Sequence, residues 1–164
     1  MSIPDIFAAE GEDGFREVET AVLGEVSAYK KCVVATGGGA VKRQENWMHL
    51  RNGLVVCLSG DPELLAKRIA KDGVEARPLF ADAEDETAIA AKIAEMMKER
   101  EKLYAEADLR VKLLMDDDTG EEGEDLDGLC KRVLACLKRR IEEDDTKSRL
   151  KNEPKEGDIT VSGM

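Results

Sequence analysis

The stretch Val33-Val34-Ala35-Thr36-Gly37-Gly38-Gly39-Ala40-Val41 constrains this chain more than any other. An apolar run predicts a strand over Cys32 to Ala35, and that strand runs directly into three glycines. Consecutive glycines are costly to order, because each loses more backbone freedom on folding than any other residue. A chain accepts that cost where something must approach the backbone closely. In a parallel α/β sheet, ligands bind at the carboxyl ends of strands. Just upstream, Gly11-Glu12-Asp13-Gly14-Phe15-Arg16-Glu17-Val18-Glu19 puts an arginine near the start of a helix expected beside that loop. Together the two stretches predict a site for a small anionic molecule.

The rest of the chain alternates. Phe15, Val18, Val22, Leu23 and Val26 follow helical spacing, which predicts an amphipathic helix over 12–29. A short helix over Asn46–Asn52 precedes an apolar strand over Leu54–Leu58, read as buried on both faces. Asp61-Pro62-Glu63 opens another helix with an acidic cap and a proline in its first turn, and Gly73 ends it. Residues 73–85 lack periodicity and predict a mobile loop. A long helix carries Ile89, Ile93, Met96, Met97, Leu103, Tyr104 and Ala107 on one stripe, then a strand spans Leu109–Leu114. The acidic stretch 116–127 predicts a solvated loop and not a metal site, since it lacks glycine-punctuated ligand spacing. A final helix covers Leu126 to about Ile141. The alternation implies an α/β fold with a parallel sheet flanked by helices, over 1–143. The polar and charged segment 144–164 predicts a disordered tail.

Composition narrows the function. With 37% charged residues and a net charge of -11, the chain disfavours nucleic acid and anionic membranes as partners. Aromatic residues at 4% argue against a base-stacking platform. No apolar run is long enough to cross a membrane, and no secretory or transit segment is read at the amino end. Cys32, Cys57, Cys130 and Cys136 lack metal-ligand spacing and read as buried free thiols in a reducing compartment. His49 and Trp47 read as structural or surface residues.

In an acidic protein, arginines at special positions stand out. Arg100 lies four residues after Met96 and seven after Ile93, which places it on the apolar stripe of its helix. A cation there must meet an anion, reach solvent along its stem, or pair with a structural carboxylate. Arg16 stands three residues before Glu19, so it either forms a surface ion pair or is held by Glu19 to grip a carboxylate with its other edge. Arg77 precedes Pro78 and is either an ordinary loop arginine or a lid group that swings onto a phosphate. Arg68 complements the end of its helix.

The order Phe15-Arg16-Glu17-Val18-Glu19, then Thr36-Gly37-Gly38-Gly39-Ala40-Val41, then Arg77-Pro78-Leu79, then Arg100 ahead of Tyr104 resembles shikimate kinase, a small P-loop kinase. The likeness covers roughly Ser2 to Leu114, and the wording around Asn46-Trp47 is similar to plastid enzymes of plants and algae. It implies that Arg16 and Arg100 grip the shikimate carboxylate, and that Gly37, Gly38 and Gly39 let the ring hydroxyls approach the backbone. It implies that Arg77 stabilises the transferring phosphoryl group and that Arg68 lies against adenine. It also implies ATP and Mg2+, transfer of the γ-phosphoryl group to the shikimate 3-hydroxyl, and a plastid stroma.

The chain departs from the family in one respect. No Gly-x-x-x-x-Gly-Lys-Ser/Thr occurs in its 164 residues, nor does the family's acidic pair after the second strand. The expectation is a P-loop kinase-like sheet without the family's first two strands, unable to bind ATP or turn over. In the family order 2-3-1-4-5, the strand at Val33 then lacks its usual neighbour, so these residues should be unstable or pair differently. The rival is a non-catalytic homologue kept for binding or regulation. A gluconate kinase is disfavoured by the glycine triplet combined with Phe15-Arg16. Oligomeric state is not legible.

Overall fold

The computed structural model describes residues 2–73, 77–114 and 123–152. They form two compact units, Met1–Glu124 and Asp125–Met164. In the first, helix α1 spans Ile3–Val26, α2 Gln44–Leu50, strand β1 Val56–Ser59, α3 Pro62–Asp72, α4 Glu86–Tyr104 and β2 Leu109–Lys112, with short 3-10 turns at Ala40–Lys42 and Pro78–Phe80. The second unit holds helix α5, Leu126–Asn152.

The architecture is α/β, with a short parallel sheet and flanking helices. β1 and β2 pair in parallel, Val56 opposite Leu109 through Ser59 opposite Lys112. Such strands need a crossover, and α3 and α4 supply it. Apolar side chains of those helices form the core around Ala66, Phe80, Ile89 and Ile93, with Leu65, Ile69, Leu79, Met96 and Met97 packed against it. Leu79 and Phe80 therefore anchor part of the segment read as a mobile loop. Residues 74–76 of that segment, and 116–122 of the acidic loop, lie outside the described residues.

The amino-terminal helix starts earlier than its periodicity indicated. Ser2 and Asp5 form a reciprocal capping box. Gly11 then breaks the helix with φ 71° and ψ -171°, a backbone state glycine takes without a Cβ penalty. The amphipathic helix read from Glu12 is thus the part beyond the kink. Phe7 and Phe15 face each other across it with ring centroids 4.7 Å apart.

Three further expectations are corrected. Cys32–Ala35 forms no strand: Val33 is fully exposed, and an extended segment without a ladder partner has nothing to satisfy its backbone. β1 is not buried on both faces, since Leu58 is exposed and its neighbours are half-buried; a sheet of two described strands has little to cover it. The cysteines are free, but Cys32 and Cys130 are exposed and Cys57 and Cys136 only half-buried. α5 runs unbroken past residue 143 to Asn152, and the rest of the expected tail lies outside the described residues.

Candidate functional site

The glycine triplet begins a tight turn. The Ala40 amide donates to the Gly37 carbonyl at 3.1 Å, and the Lys42 amide to that of Gly39 at 3.0 Å. Asn46 and Trp47 of α2 brace it from behind. The Asn46 amide nitrogen donates to the Ala40 carbonyl at 2.8 Å and the Trp47 indole nitrogen to that of Val41 at 3.1 Å, both residues being buried. Trp47 and Asn46 are therefore structural. His49 is too, with Nδ1 3.4 Å from the Ser27 hydroxyl.

Two arginines converge on this turn from different helices. Arg16, on α1, is only 6% exposed. Its Nη1 pairs with Glu19 at 2.8 Å and its Nη2 with Glu12 at 3.1 Å. The guanidinium lies so close to Gly39 that a Cβ there would stand 2.6 Å from Cζ. The close approach of the guanidinium thus depends on glycine at 39, while the φ of -87° there is ordinary. Arg100, on α4, is also 6% exposed, and its Nη1 lies 3.5 Å from the Gly38 carbonyl oxygen. One turn further along α4, the Tyr104 hydroxyl donates to the same oxygen at 2.8 Å. Gly37 stands beside Glu19, whose Oε1 is 3.6 Å from where a Cβ would be.

The charges of this cluster are unevenly paired. Burial pushes the Glu12 carboxyl up, but hydrogen bonds and charge from Arg16 and Lys42 outweigh it and hold the group below its ordinary value. Lys42 Nζ reaches the same Glu12 oxygen as Arg16, at 3.3 Å. Arg100 has no carboxylate partner among the described residues, and its buried Nε has no hydrogen bond, like that of Arg16. A buried guanidinium held only by one long contact to a carbonyl stays costly until an anion reaches it.

Arg77 and Arg68 are placed elsewhere. Arg77 turns back onto the end of α3, donating to the Gly73 carbonyl at 3.2 Å and pairing with Asp72 at 3.1 Å. Arg68 lies half-buried on α3. The structure thus gathers Arg16, Arg100 and the glycine triplet, and leaves Arg68 on α3 and Arg77 ahead of the Pro78–Phe80 turn. The sequence places Tyr104 on the apolar stripe and in the motif after Arg100 but gives its hydroxyl no role, and it offers no reading for Glu12 or Lys42. Tyr104 was findable as a hydroxyl one turn after Arg100. Glu12, four residues before Arg16, was findable as a helical ion pair.

This donor set suits a carboxylate. Arg77, expected at a phosphoryl group, is paired with Asp72 here.

An α/β fold thus carries a glycine turn flanked by two buried arginines, a donor set that could meet a small anion. A family model described as Shikimate kinase matches residues 1–138. Shikimate kinases of Nostoc punctiforme and Synechococcus elongatus are 40% and 45% identical over 136 and 137 residues, 83% of this chain in each case. The chain spans 68% and 65% of the lengths of those two relatives, about two thirds. A shikimate kinase from Acinetobacter baumannii, solved in complex with shikimate, shares the fold at TM-score 0.67 and 33% identity, over 84% of this chain and 71% of that one. The Bacteroides thetaiotaomicron enzyme gives 0.66 at 26%, over 82% and 73%. The chain belongs to the shikimate kinase family.

Proposed function

We propose that this chain carries the shikimate-binding half of a shikimate kinase, the enzyme that moves the γ-phosphoryl group of ATP to the shikimate 3-hydroxyl. The observation that carries this reading is Arg100: a buried guanidinium beside Gly38 with no carboxylate partner among the described residues. A ligand carboxylate between Arg100 and Arg16 supplies the missing anion by charge-assisted hydrogen bonds. Gly37, Gly38 and Gly39 leave room for the polar ring against the backbone, and Tyr104 fixes the turn through the Gly38 carbonyl. In the complete reaction ATP would supply the phosphoryl group and Mg2+ would neutralise phosphate charge, with Arg77, here paired with Asp72, the residue to stabilise the transferring group and Arg68 the one to lie against adenine. These 164 residues, without a Gly-x-x-x-x-Gly-Lys-Ser/Thr, bind shikimate but not ATP. The cyanobacterial relatives support a plastid location.

Isothermal titration tests this directly. Shikimate is expected to bind, Arg100→Ala to weaken it by about a hundredfold, and ATP to give no heat of binding. Shikimate affinity unaffected by Arg100→Ala overturns the carboxylate assignment, and ATP binding comparable to that of a longer relative overturns the second statement. The same lack of a phosphate-cradling motif favours one other reading, a non-catalytic homologue that binds shikimate for regulation. A stable protein from a natural transcript of this length, with shikimate affinity and no turnover, distinguishes it.

A further inference from the structure

Lys42 has no role in the reading above, yet it touches the site through one oxygen. Glu12 Oε1 is shared: Arg16 Nη2 lies 3.1 Å from it and Lys42 Nζ 3.3 Å. The other face of Arg16 is secured independently, since Glu19 holds Nη1 at 2.8 Å and is largely buried. Glu12 itself is more exposed, and it directly follows Gly11, whose φ of 71° breaks the helix. Arg16 thus has one fixed carboxylate and one on a more open, hinge-adjacent residue.

We propose that Lys42 is a positioning residue for the Arg16 subsite, acting as the second holder of Glu12. This rests on the reading that Arg16 receives the ligand carboxylate. In the structure Glu12 covers Nη2, one of the donors an incoming carboxylate needs, and the neighbouring Nε has no partner. When a ligand carboxylate arrives, like charges cannot share Nη2 cheaply, so Glu12 withdraws. Lys42 keeps that withdrawn carboxylate paired, while Glu19 keeps the guanidinium aimed. Glu12 is therefore an internal competitor of the ligand, and Lys42 weakens the competition. No bond is made or broken; two ion pairs exchange.

A double-mutant cycle on the full chain, read by shikimate titration, tests this. Glu12→Gln is expected to tighten binding about threefold, by removing an anion beside the ligand. Lys42→Ala is expected to weaken it about threefold, with Lys42→Arg restoring the parent value. In a Glu12→Gln background, Lys42→Ala is expected to have no effect. Equal weakening by Lys42→Ala in both backgrounds means that Lys42 attracts the ligand directly, and overturns the proposal. So does a parent-like affinity in all three single variants. Loss of binding in Arg100→Ala alongside unaltered Glu12 and Lys42 variants leaves the carboxylate site standing and removes only this inference. Failure of the parent chain to bind shikimate defeats both.

Discussion

Arg16 and Arg100 rest against consecutive glycines of one turn, Arg16 with its guanidinium on Gly39 and Arg100 with Nη1 3.5 Å from the Gly38 carbonyl. They come from α1 and α4, and the turn between them is braced by Asn46, Trp47 and Tyr104. They differ in one respect with measurable consequences. Arg16 is paired with two carboxylates and Arg100 with none among the described residues.

That asymmetry separates their effects on stability. Arg100→Met removes a buried charge without stranding a carboxylate, so the unfolding free energy from urea titration should stay within about 1 kcal/mol of the parent or rise. Arg16→Met leaves Glu19, largely buried, without its partner, and should cost about 1–3 kcal/mol. Equal losses in both variants would mean that Arg100 has an anionic partner in the free protein.

Gly39→Ala isolates the close approach. The backbone at 39 suits alanine, so global stability should change by no more than about 1 kcal/mol. The new methyl must push the Arg16 guanidinium off the turn, and shikimate affinity should fall about tenfold or more. Thermal melts paired with titration read the two effects apart. Retained affinity would show that Arg16 does not act from its position against Gly39.

Glu12 gives an acid-side signature. Its folded value lies below the ordinary 4.5, so its contribution to stability is fully present above 4.5 and is lost as pH falls through the lower folded value. Comparing urea midpoints of the parent and Glu12→Gln from neutral to acid pH should show the parent losing its advantage only on the acid side. The effect is small, because Glu12 is partly screened by solvent. A constant difference at every pH would detach Glu12 from Arg16 and Lys42.

The thiols offer a check on packing. Burial pushes the Cys57 thiol up, with Arg110 opposing weakly, whereas Cys32 and Cys130 are exposed. Iodoacetamide at neutral pH should label Cys32 and Cys130 well before Cys57, as read by peptide mass spectrometry. Prompt labelling of Cys57 would mean that β1 opens readily from the sheet.

Much of this was legible in the sequence because helical spacing and caps are local signals. Asp61-Pro62-Glu63 and Gly73 mark α3 almost to the residue, and the stripe through Ile93 and Met97 marks α4, although it runs on to Ala107, past the helix end at Tyr104. Arg100 stood out because a charge on an apolar stripe violates that periodicity. The strand at Val33 was misread for the opposite reason. A strand is completed by its neighbours, and apolar β-branched residues cannot report whether a partner lies alongside. The kink at Gly11 left no periodic trace, so the first turns of α1 were missed. Glu12 and Lys42 escaped notice because their meeting depends on how the turn after Gly39 folds back onto α1. No spacing rule links them.

A crystal structure determined with shikimate tests the central claim most directly. The account predicts the ligand carboxylate within about 2.7–3.2 Å of both the Arg100 and Arg16 guanidiniums, with the ring against Gly37–Gly39. A carboxylate bound away from Arg100, or that guanidinium paired instead with a carboxylate of the chain itself, would contradict it.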